Sequence, residues 1–297
     1  MSNNLHTFFK KDGGVLLAGA CGTEIQRRGV PTPLPLWSVH ALLNCPEVVK
    51  QIHLDYVQAG AEVITTNTFR TTRRALAKAD IGERARELTR LACTLACDAV
   101  SELGLDSKVL VGGSIAPLED CYEPSLAPRL DVAYKEHREQ ADNFVGSGVD
   151  FIILETFNTI GEALAAYRAV REVGFEAVVS FVTGSDGNLL SGETLADAAR
   201  AFEPLAPLAL CVNCIQLPIT EIALQKLVAS TKLPIGIYAN GEGHPHDEQG
   251  WLFTDSTNPD AYAEYAKKWR NIGAAIIGGC CGTTPSYIEK LKKELFQ

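Results

Sequence analysis

The sequence predicts a single (β/α)8 barrel, a TIM barrel of the α/β class that spans residues 1–297. Three observations support this fold class. Eight apolar runs alternate with amphipathic segments along the chain. The runs are rich in Val, Ile, Leu and Phe without clean polar alternation, which is typical of parallel strands covered by helices. The length of 297 residues suits one barrel of roughly 250 residues with insertions.

The predicted strands each end shortly before a loop or a helical pattern. In chain order they are Val15–Gly19, Glu62–Thr66, Val109–Ser114, Val149–Glu155, Ala177–Thr183, Ala209–Asn213, Pro234–Ala239 and Ala274–Gly278. The predicted helices between them have an apolar stripe at helical spacing. They are Pro46–Gly60, Arg84–Leu103, Val132–Ser147, Ile160–Val173, Leu195–Leu205, Thr220–Thr231 and Pro259–Ile272.

A doubly wound open sheet is the alternative fold. It would normally have fewer strands and a phosphate-binding loop after the first of them. The segment Gly19-Ala20-Cys21-Gly22 is too weak a match to G-x-G-x-x-G to predict a dinucleotide site. The barrel is therefore the preferred architecture.

The long irregular stretches all follow strands. They are Gln26–Ala41 after the first strand, Ala116–Arg129 after the third and Gly241–Asn258 after the seventh. In a barrel these loops gather at the carboxyl ends of the strands, where active sites of this architecture lie. The functional residues are therefore expected on this one rim.

The composition of the chain argues against two classes of partner. The net charge of -9 and the absence of a basic run argue against nucleic acid or an anionic membrane as the main partner. The segment Met1–Gly14 has no apolar core of signal-peptide length, and no window approaches 18 apolar residues. We expect a soluble cytoplasmic protein that acts on small molecules. A homo-oligomer is compatible with the sequence, which does not fix the oligomeric state.

The strongest chemical signal is a pair of adjacent cysteines after the last strand. Cys280 and Cys281 lie between glycines, and a helix follows, with Thr284 as its predicted N-cap and Pro285 at its first position. On a continuous strand adjacent side chains point to opposite faces. The flanking glycines let the backbone leave the pleat and turn both sulfurs the same way.

A third cysteine, Cys214, follows the predicted sixth strand. Three thiolates with an open fourth position form a zinc site that can bind a substrate. Cys211 is three positions before Cys214, so the strand alternation predicts that it faces the opposite side and only packs.

The other cysteines need no special role. Nine cysteines is an odd number, and such a chain is more compatible with metal or catalytic use than with a disulfide framework. Cys93 and Cys97 have helical spacing and are expected in the core. Cys45 and Cys121 are interpreted as ordinary cysteines.

A zinc ion held by three thiolates favours one kind of chemistry. The centre is anionic and therefore a poor Lewis acid for hydrolysis. A thiol bound to it would lose its proton and stay electron-rich. A nucleophilic thiolate is what alkyl transfer to sulfur requires.

Several short motifs occur along the whole chain beside the cysteines. They are Gly22-Thr23-Glu24, Leu36-Trp37-Ser38, Thr65-Thr66-Asn67-Thr68-Phe69, Gly113-Ser114-Ile115-Ala116-Pro117, Glu155-Thr156-Phe157, Val212-Asn213-Cys214 and Gly278-Gly279-Cys280-Cys281-Gly282-Thr283-Thr284-Pro285. With these motifs the sequence resembles the zinc-dependent homocysteine S-methyltransferases, in particular the branch that uses S-methylmethionine.

The resemblance implies one homocysteine-binding barrel domain over residues 1–297 and a catalytic zinc site. Cys214, Cys280 and Cys281 would hold Zn2+, and the homocysteine sulfur would be its fourth ligand and attack a methyl group on a small-molecule donor. Glu155 would bind the homocysteine ammonium, although a salt bridge to Arg70 is an alternative role for it. Further candidates for substrate contacts are Thr66, Asn67, Ser114, Asn213, Trp37 and Gly19. The polar side chains among them could instead satisfy loop backbone, and Trp37 could be only a packing anchor.

The sequence departs from this family at three positions. Ala18 stands where members commonly have an aspartate that helps to hold the substrate ammonium, so the acceptor thiol stays open. Arg70 and Thr156 stand where the betaine-using branch has tyrosines, and an arginine repels a quaternary ammonium. We therefore expect a sulfonium donor, S-methylmethionine or more weakly S-adenosylmethionine.

Two other functions are compatible with parts of the sequence. A phosphate-binding barrel enzyme would use the glycines and the helix start after the eighth strand, but it leaves the cysteine pair unexplained. A non-catalytic zinc-binding or thiol-binding protein would use the same cysteines without methyl transfer.

Overall fold

Eight parallel strands form the central sheet of the protein. The computed structural model describes residues 2–246, 250–255 and 257–296. In the sheet order β1-β10-β7-β6-β5-β4-β3-β2, the strands are β1 Val15–Leu16, β2 Val63–Thr65, β3 Leu110–Ile115, β4 Phe151–Phe157, β5 Ala177–Phe181, β6 Ala209–Asn213, β7 Ile235–Ala239 and β10 Ile276–Gly279. Strands β8 His244–His246 and β9 Gly250–Leu252 form a separate antiparallel pair.

Helices connect the strands of the barrel. The α-helices are α1 Ser2–Phe9, α2 Gly22–Arg27, α3 Val39–Asn44, α4 Pro46–Gln58, α5 Arg73–Ala77, α6 Ala85–Glu102, α7 Leu130–Phe144, α8 Ile160–Glu172, α9 Leu195–Phe202, α10 Leu217–Val228, α11 Pro259–Ile272 and α12 Pro285–Leu295. Short 3-10 helices cover Gly82–Arg84, Pro124–Leu126 and Glu203–Leu205. Among the described residues, no helix is both long and apolar enough to cross a membrane.

The sheet closes between β1 and β2. Leu17 and Val63 form a parallel bridge, and the Ala18 N–H donates to the Val63 carbonyl at 2.8 Å. Alternate strand residues then divide into two apolar cores, as the pleat requires. Phe151 and Ile153 lie in the core inside the barrel, whereas Ile152 belongs to the core between sheet and helices. The predicted (β/α)8 barrel is confirmed, and the open sheet is excluded.

Several local predictions differ from the structure. The predicted loop 26–41 contains the end of α2 and the start of α3, and α10 begins at Leu217, three residues before the predicted Thr220. The predicted loop 241–258, of which residues 247–249 and 256 lie outside the described residues, contains the β8–β9 pair. Helix α1 was not predicted. Its Phe9 ring packs edge-on against Phe151, at the start of β4, with ring centroids 5.2 Å apart.

His53, on α4, makes the fold sensitive to acid. It is buried, and burial lowers its pKa from 6.5 to about 4. The unfolded chain therefore binds a proton that the folded chain excludes, so stability is lost as the pH falls through 6.5 toward 4. Between pH 7.5 and pH 5 we expect wild type to lose about 2 kcal/mol more stability than His53→Gln. Urea unfolding at both pH values measures this difference, and equal losses for the two proteins would contradict it.

Candidate active site at the mouth of the barrel

A cavity of about 310 Å³ opens at the carboxyl ends of the strands. The predicted site residues line it, with the exception of Asn213, which lies behind its wall. The structure thus brings together residues from the first, second, third, fourth, sixth and last strands of the barrel and from the loop after β1. The residues predicted from the sequence that line the cavity are Gly19, Trp37, Thr66, Asn67, Ser114, Glu155, Cys214, Cys280 and Cys281.

Three cysteine sulfurs converge in this cavity. The Sγ atoms of Cys214, Cys280 and Cys281 all lie within 4.8 Å of one another, and those of Cys214 and Cys281 are 3.8 Å apart. Within the described part of the chain, this is the only group of three or more metal-binding side chains with such spacing.

A tight turn aims the adjacent cysteines into the same cavity. Strand β10 ends at Gly279, the Cys280 N–H still donates to the Ala239 carbonyl at 2.7 Å, and the Thr283 N–H then closes the turn on the Cys280 carbonyl at 3.1 Å. Gly282 has φ 78°, and a Cβ there would lie 2.1 Å from the Glu242 carbonyl oxygen. A glycine is therefore needed at this position, as the sequence predicted in outline.

Helix α12 begins where predicted, but its cap differs. Thr284 occupies the N-cap position and Pro285 the first helical position. The Thr284 hydroxyl does not accept a helix N–H; it pairs with the Ser286 hydroxyl at 2.7 Å.

Cys214 reaches the cavity because its backbone leaves the strand. It follows β6 with φ 56°, in the left-handed region that costs roughly 1–3 kcal/mol for such a residue. Cys211 is buried in the core inside the barrel, not on the opposite face of the sheet. The prediction that Cys211 only packs agrees with this position, but the reason from strand alternation was wrong.

Of the three cysteine thiols in the cluster, Cys214 loses its proton most readily. Interactions with the Cys280 and Cys281 thiols hold the pKa of Cys214 well below its ordinary value. The same interactions with Cys214 raise the pKa values of Cys280 and Cys281. Like charges on three close sulfurs repel each other, and a bound divalent cation would remove that repulsion. The donor set therefore fits a soft metal ion.

Tyr122 contacts the cysteine cluster and was not predicted. Its hydroxyl lies 3.0 Å from the Cys214 sulfur. Burial of the hydroxyl and the nearby cysteine charges raise the pKa of Tyr122, so the phenol keeps its proton and donates to the sulfur. Cys121, interpreted from the sequence as an ordinary loop cysteine, also lines the cavity.

Glu155 projects into the cavity from β4. Its carboxylate accepts a hydrogen bond from the Ser114 hydroxyl. Burial raises its pKa to about 7, with the Ser114 bond acting in the opposite direction. Among the described residues, Glu155 forms no ion pair with Arg70, the alternative role considered from the sequence. A substrate ammonium would favour the ionised carboxylate.

Asn213 organises the wall behind the cysteines. Its side-chain oxygen accepts the Thr156 N–H at 2.9 Å and the Ser180 hydroxyl at 2.6 Å, and its nitrogen donates to the Thr156 hydroxyl at 2.8 Å. Thr156 has φ 63° at the irregularity in β4. The Asn213 amide is therefore engaged within the protein and supports the strand that carries Glu155.

Thr66, Asn67 and Ser114 also make contacts within the protein. The Ser114 N–H donates to the Thr66 hydroxyl at 3.1 Å, and the Asn67 amide donates to the Ser38 carbonyl at 3.0 Å. The Asn67 bond matches the alternative in which such side chains satisfy loop backbone, whereas the Ser114 hydroxyl donates to Glu155. All three residues nevertheless border the cavity.

Trp37 and Gly19 both shape the cavity. Trp37 has φ 51°, and its ring packs so closely on β9 that a Cβ on Gly250 would lie 1.8 Å from it. Trp37 is thus both a packing anchor and part of the wall. A Cβ on Gly19 would lie 2.6 Å from the Thr283 hydroxyl, so a glycine allows the first loop to approach the cysteine turn.

Comparison with known proteins identifies the family. The model of the homocysteine S-methyltransferase family matches residues 15–295. The chain belongs to this family. It is 30% identical to the homocysteine S-methyltransferase of Escherichia coli K12, over 98% of each chain. It is also 30% identical to a selenocysteine methyltransferase of Astragalus bisulcatus, over 99% of this chain and 97% of the relative.

The fold agrees with the same family. The homocysteine methyltransferase MmuM from Escherichia coli, in its metallated form, has a TM-score of 0.84 and 29% identity, with 97% of this chain and 99% of that one covered. The family resemblance seen in the sequence is confirmed, and the phosphate-binding alternative loses its basis. A metal-binding cysteine cluster is consistent with the metallated relative.

Proposed function

We propose that this member of the homocysteine S-methyltransferase family is a zinc-dependent enzyme. It transfers a methyl group from a sulfonium donor, S-methylmethionine or more slowly S-adenosylmethionine, to the thiol of homocysteine, and the product is methionine. The observation that carries the proposal is the convergence of the Cys214, Cys280 and Cys281 sulfurs in the cavity at the mouth of the barrel. We also propose that residues 1–297 act as one domain.

Cys214, Cys280 and Cys281 are the proposed metal ligands. Sulfur ligands favour zinc over hard cations such as magnesium. Zinc bound there would lower the pKa of an acceptor thiol, so that the acceptor is a thiolate near neutral pH.

The methyl transfer itself needs little acid–base help from the protein. The acceptor sulfur forms a bond to the methyl carbon while the bond between that carbon and the donor sulfur breaks. The electron pair of the broken bond stays on the donor sulfur. The donor loses its positive charge and leaves as a neutral thioether, so no proton has to reach the leaving group. The protein mainly has to align the two sulfurs and exclude water.

Glu155 and the aromatic side chains that border the cavity would align the two substrates. The Glu155 carboxylate would bind the acceptor ammonium, held in place by Ser114. Trp37, Tyr122 and Trp251 border the cavity, and aromatic faces attract a sulfonium cation. A donor bound beside these rings would therefore be favoured if it carries a positive charge.

A matrix of donors and acceptors on zinc-loaded protein tests the proposed function. Donors are S-methylmethionine, S-adenosylmethionine and betaine; acceptors are homocysteine, selenocysteine and simple thiols, with products identified by mass spectrometry. A selenol is included because of the selenocysteine methyltransferase relative. Bound zinc without methylation of any acceptor would favour the non-catalytic alternative instead.

Betaine is expected to give no measurable turnover under conditions where S-methylmethionine is used. Arg70 borders the cavity and Thr156 is not aromatic, so two cation–π contacts of about 0.5–2 kcal/mol each are missing relative to a tyrosine pair. Initial rates at equal donor concentrations measure this selectivity. Comparable rates with both donors would contradict it.

Ala18→Asp is expected to lower the KM for homocysteine about 10-fold or more. Ala18 borders the cavity, and a second carboxylate there would add a charge-assisted hydrogen bond worth about 1.5–3 kcal/mol to the ammonium. The KM for 4-mercaptobutyrate, which lacks the amine, should change little. An equal change for both thiols, or none for homocysteine, would show that the ammonium binds elsewhere.

A further inference from the structure

Arg70 is a cation in the wall of the active-site cavity, and none of the described residues pairs with it. Of the described lysines and arginines, it alone lines this cavity. The structure records no hydrogen bond or ion pair for its guanidinium among the described residues; its closest recorded contact is the Phe69 ring, 5.8 Å from the guanidinium carbon. Arginine stays protonated at any physiological pH. A half-buried guanidinium that pairs with no described carboxylate can accept an anionic ligand.

The loop that carries Arg70 is rigid. The buried Thr68 hydroxyl donates to the Ser114 carbonyl at 2.7 Å. The buried Thr71 hydroxyl donates to the Thr68 carbonyl at 3.1 Å, and the Thr71 N–H bonds to the same carbonyl. These contacts fix the backbone on both sides of Arg70. A ligand that binds the guanidinium therefore has little loop to order.

The two carboxylates that border the cavity, those of Asp120 and Glu155, do not pair with the Arg70 guanidinium. Asp120 also borders the cavity, but its carboxylate accepts the Tyr122 N–H at 2.8 Å and forms no recorded ion pair with Arg70. Glu155 is engaged with Ser114. Burial raises the pKa of Cys121 in the loop after β3, and the positive charge of Arg70 acts in the opposite direction.

We propose that Arg70 binds the carboxylate of an amino-acid substrate in this cavity. This inference rests on the proposed function and adds to it the requirement that one substrate carry a carboxylate. The guanidinium would provide two parallel N–H donors to the carboxylate. If that substrate is the acceptor, Glu155 and Arg70 bind the two ends of one zwitterion. The donor and the acceptor both carry a carboxylate. The experiment below determines which of the two Arg70 binds.

The test compares each substrate with its carboxamide, which keeps the size and removes the charge. Wild type and Arg70→Met are assayed with S-methylmethionine or its amide as donor, and with homocysteine or its amide as acceptor. Arg70→Met should raise the KM of one carboxylate substrate about 10–100-fold and change the KM of its amide less than about twofold. If the effect is in the donor arm, Arg70 binds the donor; if it is in the acceptor arm, Arg70 binds the acceptor.

Two further variants make the test specific. Arg70→Lys keeps the charge but not the paired donors, and should lie between wild type and Arg70→Met. Arg73→Met is the matched control, because Arg73 lies outside the cavity, exposed and paired with Glu139 at 2.6 Å; its KM values should equal those of wild type. Equal effects of Arg70→Met on acids and amides, or no effect on either, would overturn the inference.

A binding measurement separates this inference from the proposed function. Methionine, the expected product, and methioninamide are titrated into wild type and Arg70→Met by calorimetry, without turnover. Weaker binding of methionine alone in the variant supports the role of Arg70. Turnover by wild type with unchanged methionine binding in Arg70→Met would overturn the role of Arg70 and leave the proposed function intact. Absence of turnover in wild type would overturn the proposed function itself.

Discussion

Replacing Cys281 with serine is expected to release the metal and to lower methyl transfer at least about 100-fold while the barrel stays folded. The Cys281 sulfur is 3.8 Å from that of Cys214, and all three sulfurs lie within 4.8 Å of one another. Structural zinc in four-ligand sites is bound with about 10–16 kcal/mol. Loss of one ligand therefore removes roughly 2.5–4 kcal/mol, or about 10²–10³ in affinity.

The measurement is metal content by mass spectrometry after dialysis, with far-ultraviolet circular dichroism as the test of folding. Cys211→Ala is the matched control, since Cys211 packs inside the barrel and outside the cluster. It should keep one metal ion per chain. Full metal content in Cys281→Ser, or loss of metal in Cys211→Ala, would show that the ligand set is assigned incorrectly.

Glu155→Ala is expected to lower kcat/KM for homocysteine about 100-fold and to leave bound metal in place. The carboxylate is the acidic group that projects from β4 into the cavity, and its charge-assisted bond to the ammonium is worth about 1.5–3 kcal/mol, with the unpaired ammonium adding to the loss. The assay compares homocysteine with 4-mercaptobutyrate, which has no amine. Only the first should be affected.

Glu119→Gln is the control for Glu155. Glu119 pairs with Arg74 at 2.8 Å and with Lys78 at 2.6 Å, outside the cavity, so both thiols should react at wild-type rates. If Glu155→Ala leaves homocysteine kinetics unchanged, another group holds the ammonium. If it lowers the rates for both thiols equally, Glu155 supports the site without binding the amine.

The barrel was predictable because its strands are continuous apolar runs. Val15, Ile152 and Ile276 are each buried, and short apolar runs of this kind between helical patterns are visible directly in the sequence. The β8–β9 pair was missed because its apolar residues, Trp251 to Phe253, form a run of only three in a mostly polar stretch. The burial of Trp251 depends on contacts distant in sequence, such as the hydrogen bond from the Gln26 side chain to the Trp251 carbonyl.

The site was only partly predictable, for a related reason. The glycines on either side mark Cys280 and Cys281 in the sequence. Cys214 reaches the cavity through a left-handed backbone conformation, which no local sequence pattern predicts. Tyr122 is far from Cys214 in sequence, and no spacing predicts their 3.0 Å contact. Asn213 is a polar residue at a strand end, which predicted a contact with the substrate. Its side-chain oxygen instead accepts hydrogen bonds from Thr156 and Ser180.

The most direct test of metal-dependent methyl transfer uses homocysteine labelled with carbon-13 and unlabelled S-methylmethionine. The label distinguishes methionine made from the acceptor from methionine left by the donor. Protein stripped of metal by a chelator is compared with the same protein after zinc is restored. We expect labelled methionine from the zinc-restored protein and at least about 100-fold less from the stripped protein. Equal formation of labelled methionine by both proteins, or none by the zinc-restored protein, would contradict the proposed function.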